Sequence, residues 1–279
     1  MPESVRLAVR KTYKLFIGGA FPRSESGRSY PVRSAAGDFV ANAALASRKD
    51  VRDAVRAARA AAGKWSGATA YNRGQILYRV AEMLEGRREQ FVAYGVPEST
   101  VDQAIDRWVW YAGWSDKIAT VYGGANPVAG PYFNISAPEP TGVVGVVAPA
   151  DPLLGLVSVV APAIVTGNTV VVLAAEENPL PAVTLAEVLA TSDLPGGVVN
   201  LLTGRVAEMA PWLASHMDVN ALDLAGVEDA SLAADLERDA AENLKRVLRP
   251  APVDWSDDPG TGRMTAFLET KTVWHPKGV

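Results

Sequence analysis

Residues 143–173 read VVGVVAPADPLLGLVSVVAPAIVTGNTVVVL. Two short apolar runs, VVGVVA (143–148) and TVVVL (169–173), flank a stretch that is apolar nearly all round (153–165). A short run of apolar residues without alternation is the pattern of a strand covered on both faces. The intervening stretch has the length of one helical crossover, so the unit reads strand–helix–strand with parallel strands and a right-handed connection. The pattern continues toward the C-terminus. Pro179 opens a helix that closes at Pro195-Gly196-Gly197, and VVNLL (198–202) follows as a strand. A helix near 207–216, the strand ALDL (221–224), a helix over about 229–243 and the strand KRVLR (245–249) complete the series. Strands alternating with helices in this way predict an α/β fold with a doubly wound, parallel, five-stranded sheet.

Toward the N-terminus the periodicity is helical. Asp50 is placed to cap a helix with Val51, Val55, Ala58 and Ala62 on one face, ending at Gly63. A second helix is predicted over 70–94, where Ile76, Leu77, Val80, Met83 and Leu84 recur at helical spacing, and a third over 99–111. Before them, 15–32 carries the turn signals Gly18-Gly19 and Ser26-Gly27 of a hairpin. Two pieces fall outside the alternating unit. Residues 114–138 read as a hairpin. A linker rich in Pro, Asp and Gly (250–263) leads to a terminal strand over 264–275. On that strand Phe267, Glu269, Lys271 and Val273 share one face, and Leu268, Thr270, Thr272 and Trp274 the other.

Composition narrows the chemistry. Of 279 residues, 48% are hydrophobic and 21% charged, enough apolar material for a sizeable core. The 27 basic residues are outnumbered by 31 acidic ones, so no surplus exists to neutralise phosphates and nucleic acid is not an expected partner. Cysteine is absent and histidine occurs only as His216 and His275. That excludes disulfides, thiolate metal sites and a cysteine nucleophile, and leaves no histidine cage for a metal. The N-terminal segment lacks the apolar core of a secretory signal. The most apolar stretch, 141–175, is interrupted by Pro149, Asp151, Pro152, Pro162 and Gly167, so no membrane partner is expected. A cytoplasmic location follows as the expectation.

Several segments together resemble the aldehyde dehydrogenase superfamily: LFIGGAF (15–21), DVRDAVRAARAAAGKWS (50–66), RGQILYRVAEMLE (73–85), YAGWSDKI (111–118), EPTGVVGVVAP (139–149), APAIVTGNTVVV (161–172), LPGGVVNLLTG (194–204) and NLKRV (243–247). They stand in family order, and TKTVW (270–274) resembles the strand with which such enzymes end. The resemblance implies a Rossmann-like nucleotide-binding-type domain, from 1–113 and 139–249. It also implies a small oligomerisation sheet from 114–138 and 264–275, joined through the linker 250–263. Subunit contact is expected from Trp114, Tyr132, Phe133, Phe267, Val273 and Trp274. The departure from the family is large. After NLKRV the segment bearing the family's catalytic glutamate, and the catalytic domain beyond it, do not appear before the terminal strand.

The chemistry implied by the family needs a thiolate to attack the carbonyl, a glutamate-activated water and a nicotinamide to take the hydride. This sequence has no thiol. The family's Trp-Asn pair, which helps hold the oxyanion, aligns with Ala150-Asp151, and a carboxylate there repels negative charge. In the implied nucleotide site Leu173 replaces a lysine and Val227 a serine, while Glu176, Gly204 and Gly226 remain. Glu176 reads either as a ribose contact or as a surface acid. NAD(P) binding is therefore expected to be weak or absent.

Other marked residues have plain readings. His216 follows an amphipathic helix and suits a cap on its dipole. Trp108, Trp110, Tyr111 and Trp114 suit packing, and Asp257-Asp258 a solvated linker. The expected function is a non-catalytic aldehyde-dehydrogenase-like subunit that assembles with a full-length aldehyde dehydrogenase or with itself. The alternatives are an NAD(P)-binding sensor module, or oxidoreductase activity only within a complex.

Overall fold

In chain order the elements are β1 (Thr12–Tyr13), β2 (Ser29–Arg33), β3 (Phe39–Ala44), α1 (Arg48–Ser66), α2 (Ala70–Glu85), α3 (Arg88–Val92), α4 (Glu98–Ala112), α5 (Ile118–Tyr122), β4 (Gly124–Asn126) and β5 (Tyr132–Pro140). They continue as β6 (Val143–Val147), α6 (Leu154–Val165), β7 (Thr169–Leu173), α7 (Leu180–Ala190), β8 (Val199–Leu202), α8 (Val206–Ser215), β9 (Ala221–Asp223), α9 (Ala230–Ala241), β10 (Arg246–Leu248), α10 (Gly262–Ala266) and β11 (Leu268–Pro276). This computed structural model describes residues 10–34 and 36–278. The opening segment 1–9, on which the expectation about a secretory signal partly rests, lies outside the described residues.

The predicted parallel sheet is present, in the order β10-β9-β6-β7-β8. Every residue of β6 and β7 is buried, as their unbroken apolar runs require. One face is covered by α1 and α8, the other by α6, which packs in turn against α2 and α4. The chain enters the sheet at its centre, runs outward through β7 to β8, then crosses back to place β9 on the other side of β6. The topological switch point therefore lies between β6 and β9. No helix among the described residues is long and apolar enough to cross a membrane.

Several local expectations are corrected. The N-terminal hairpin is β2–β3, not 15–32, and it belongs to a small sheet of order β1-β3-β2. Gly18 and Gly19, at φ of 63° and 85°, instead close a tight turn bridging Ile17 and Ala20. Helix α1 starts two residues before Asp50, whose carboxylate reaches back to the Ser47 N–H at 2.7 Å. It also runs past Gly63, because Trp65 is buried and its indole N–H donates to the Ile164 carbonyl at 2.9 Å. Tertiary packing overrides the cost of one glycine. The second predicted helix breaks at Gly86, where the turn swings Phe91 of α3 into the core.

Residues 114–138 are only partly a hairpin. Ile118–Tyr122 is the helix α5, and the antiparallel pair is the short β4 with the longer β5. β11 joins them as the outer strand, in the order β11-β5-β4. The terminal strand begins later than predicted. Residues 262–266 form α10, and Met264 and Phe267 are fully buried in the main core. Phe267, expected at a subunit contact, is thus an internal core residue. Its carbonyl accepts from the Thr141 N–H at 3.2 Å and from the Asn168 amide at 2.8 Å. Removing everything from 264 onward would strip two core side chains along with β11.

Candidate functional site

In an open parallel sheet the place for a ligand is the crevice beyond the carboxyl ends of the strands, at the switch point. Here backbone fills much of that place. After β9 the chain turns through Gly226, whose N–H donates to the Val147 carbonyl at 3.0 Å. A Cβ at this position would overlap the Ala148 carbonyl oxygen, so glycine is required for backbone to close upon backbone. Val227 beside it is buried, as is Leu173 at the end of β7. Neither position offers a cation or a hydroxyl to a pyrophosphate.

Glu176 is exposed on the loop after β7. The Tyr30 hydroxyl donates to its carbonyl at 3.2 Å, and Glu176, Tyr30, Arg33, Tyr94 and Asn178 line a cleft of about 870 Å³. Burial, with the Glu176 carboxylate adding to it, pushes the Tyr30 phenol well above the usual range, while the Gly204 backbone pulls it down. Gly204 sits at φ 139° after β8. Neither Gly204 nor Gly226 lines that cleft. The three expected cofactor residues are not gathered into one cavity.

The predicted linker is a strap folded onto the domain. Asp223, the last residue of β9, has no exposed surface, and its carboxylate pairs with the Arg263 guanidinium while accepting the Ala225 N–H at 3.0 Å. Burial raises the Asp223 carboxyl, and Arg263 opposes that shift. Arg263 lies over the Trp255 ring at 5.1 Å. On the other side Arg107 of α4, itself buried, donates to the Ser158 hydroxyl at 2.7 Å and to the Trp255 and Asp257 carbonyls at 2.8 and 2.9 Å. Burial lowers the Arg107 guanidinium. Burial pushes the Tyr111 phenol up to about 12, against the opposing pull of Arg107 and Arg263.

Sequence reasoning missed Arg107, Asp223 and Arg263. The available signals were an arginine on the same helix face as Trp108 and Tyr111, and an aspartate closing an otherwise apolar strand. The acids of Asp257-Asp258 are exposed, and no cluster that could hold a metal occurs among the described residues.

Asp151 turns away from any oxyanion role. Its carboxylate accepts the N–H groups of Leu153 and Gly155 at 3.1 and 2.9 Å, so it caps the start of α6. Trp255 packs over the same turn. His216 does follow α8, but its Nδ1 accepts the Asp218 N–H at 3.1 Å and burial lowers its pKa. It is a neutral acceptor rather than a cation on the helix dipole. Trp108 and Tyr111 are core residues. Trp114, half-buried, packs between Trp110 and Tyr122 rather than on the small sheet.

The small sheet is the other candidate. β11 is exposed along nearly its whole length. Tyr132, Phe133, Val273 and Trp274 retain 41%, 46%, 37% and 56% of their surface. Residues opposite one another in the ladder share a face, so Phe133, Ile135, Val273 and His275 stand on one side, and Tyr132, Asn134, Ser136, Thr272 and Trp274 on the other. Tyr132 and Trp274 meet edge to face at 5.7 Å, and the Ser136 and Thr272 hydroxyls are 2.8 Å apart. Large apolar side chains are thus open to solvent on both faces.

Comparison with known proteins places these features. The profile of the Aldehyde dehydrogenase family matches residues 21–249. The chain is 34% identical over 249 residues to "Aldehyde dehydrogenase, cytosolic 1" of Elephantulus edwardii, covering 84% of this chain and 49% of the relative. It is 34% identical over 261 residues to "Retinal dehydrogenase 2" of Gallus gallus, covering 88% and 49%. Among solved structures it resembles the NAD+ complex of an aldehyde dehydrogenase from Bacillus cereus, with a TM-score of 0.80 and 28% identity over 85% of this chain and 50% of that one. The chain spans about half the length of the curated relatives it matches.

Proposed function

We propose, from the premise that this chain belongs to the aldehyde dehydrogenase family, that its role is assembly rather than chemistry. It acts as a non-catalytic subunit that docks through the small sheet onto a full-length aldehyde dehydrogenase subunit or onto another copy of itself, in the cytoplasm. The observation that carries this reading is the three-stranded sheet with apolar groups open on both faces. Such a sheet has no core of its own and needs a covering surface. The absence of cysteine, the helix-capping use of Asp151 and the strap against α6 support the loss of chemistry.

The test is light scattering on the eluting protein, alone and mixed with a full-length family member. Species heavier than the monomer are expected. They should vanish when residues 269–279 are removed, a cut that leaves Met264 and Phe267 in place. An unchanged assembly after that cut overturns the reading. A second reading, an NAD(P)-binding sensor, draws on the likeness to a dehydrogenase solved with NAD+. Micromolar NAD binding by calorimetry favours it. Oxidoreductase activity that appears only in a complex is the third outcome, detected as aldehyde turnover above that of the partner alone.

A further inference from the structure

The outer edge of β11 has no neighbour among the described residues. Which backbone groups it presents follows from two prolines. Leu268 stands opposite Pro140 and Thr270 opposite Pro138. Proline has no N–H to exchange, so these are the pairs that do not bond across the β5–β11 ladder. The flanking bonds agree: the Thr141 N–H donates to the Phe267 carbonyl, and the Lys277 N–H to the Pro131 carbonyl at 2.7 Å. The odd-numbered residues of β11 therefore bond to β5. Leu268, Thr270, Thr272 and Trp274 aim their N–H and C=O groups outward. Four donors in a row, with no proline and no bulge among them, make an open template for another strand.

We propose that this edge pairs antiparallel with the same edge of a second copy of the chain, about a two-fold axis through Thr272, joining two small sheets into one of six strands. The inference rests on the assembly reading and specifies its partner and register. With the axis at Thr272, Thr270 meets Trp274 of the second copy and Leu268 meets Pro276, so all four outward N–H groups find carbonyls. Glu269 then stands opposite His275, twice, and Lys271 opposite Val273. An axis at Lys271 pairs the same donors but sets Lys271 against its own copy, like charge on like. An axis at Thr270 brings Trp274 opposite Ala266, which lies in α10 and cannot extend the ladder. An axis at Val273 puts Leu268 opposite Gly278, which lies beyond the end of β11, and sets Lys271 against His275. The edge is thus self-complementary in one register.

The absence of cysteine makes the test direct, because Thr272→Cys introduces the only thiol. Opposed residues of a hydrogen-bonded antiparallel pair have Cα atoms about 5.5 Å apart, within the disulfide range of about 4.4–6.8 Å. Mild oxidation should convert Thr272→Cys to a covalent dimer at least about ten times faster than Thr270→Cys. Thr270 lies roughly 14 Å from its own copy in this register. Thr272→Pro removes one outward donor without touching the β5 ladder and should give a monomer with unchanged circular dichroism. Equal cross-linking at 270 and 272, or a dimer that survives Thr272→Pro, overturns the proposed edge while leaving assembly intact. A wild-type chain that is monomeric alone yet binds a full-length family subunit overturns self-pairing and keeps the assembly reading. A monomer under both conditions overturns both.

Discussion

Replacing Arg263 with methionine tests the strap. Methionine keeps much of the stem that lies against Trp255 while removing the charge that faces Asp223. Asp223 has no exposed surface, so the variant leaves a buried carboxylate without its counter-ion. Breaking such a pair from one side costs about 3–5 kcal/mol. Asp223 keeps the Ala225 N–H as a partner, which argues for the lower end. At roughly 2–4 °C per kcal/mol for a chain of this size, about 3 kcal/mol lowers Tm by roughly 6–12 °C.

The sign of the pH dependence follows from the same burial. Burial raises the folded-state pKa of Asp223 above its unfolded value, so ionisation in the folded state opposes stability. That cost is absent below the ordinary carboxyl range and grows as pH rises from there through the raised value. Without Arg263 the shift is larger. The deficit of Arg263→Met relative to wild type should therefore be full at pH 8 and narrow on acidification toward pH 5. The double variant Asp223→Asn, Arg263→Met should recover part of the loss. Thermal unfolding followed by circular dichroism at the two pH values decides the matter. A variant within about 1 kcal/mol of wild type at pH 8, or a deficit that widens on acidification, refutes the role given to the pair.

Phe267→Ala should cost about 3–5 kcal/mol in denaturant unfolding, as expected of a buried aromatic, whereas Trp274→Ala should change stability by no more than about 0.5 kcal/mol yet weaken assembly. Gly226→Ala should destabilise by at least about 1–3 kcal/mol, because the added methyl meets backbone rather than a side chain that could move. Calorimetric titration with NAD should show no micromolar binding. A hydrogen bond to a charged phosphate is worth about 1.5–3 kcal/mol, and neither Leu173 nor Val227 can make one. Two such bonds amount to roughly two to four powers of ten in affinity. The purified chain should yield no NADH above the blank with any aldehyde.

The parallel sheet was legible because β6, β7 and β8 are short, mainly apolar runs buried on both faces, and a strand covered by helices on each side carries that pattern. The small sheet was legible in outline, since the alternation on β11 shows in its residues. The strap was not. It joins residues far apart in sequence, Arg107 to Trp255 and Asp223 to Arg263, and a segment of Pro, Asp and Gly carries no periodicity to betray where it docks. Phe267 was misplaced for a related reason. Period-2 alternation assigns it to the face of Glu269 and Lys271, but the strand does not begin until Leu268. At Asp151 the family resemblance points to an oxyanion position, and the local use as a helix cap shows only once the Leu153 and Gly155 N–H groups are placed.

The pairing of β5 with β11 also sets a schedule for biosynthesis. Pro140 must wait for Leu268 before the ladder can close, and β6 and β7 wait for the Phe267 carbonyl that receives Thr141 and Asn168. Translation at about 5–20 residues per second puts roughly 6–26 s between the emergence of the two strands. By the end of that interval the nascent chain has its parallel sheet synthesised, but β5 has only the three-residue β4 beside it and the pocket for Met264 and Phe267 stands open. A ribosome-bound intermediate with an exposed strand edge and an unfilled core is the kind of species that chaperones engage, and slowing translation after codon 250 would lengthen its life without altering the native state.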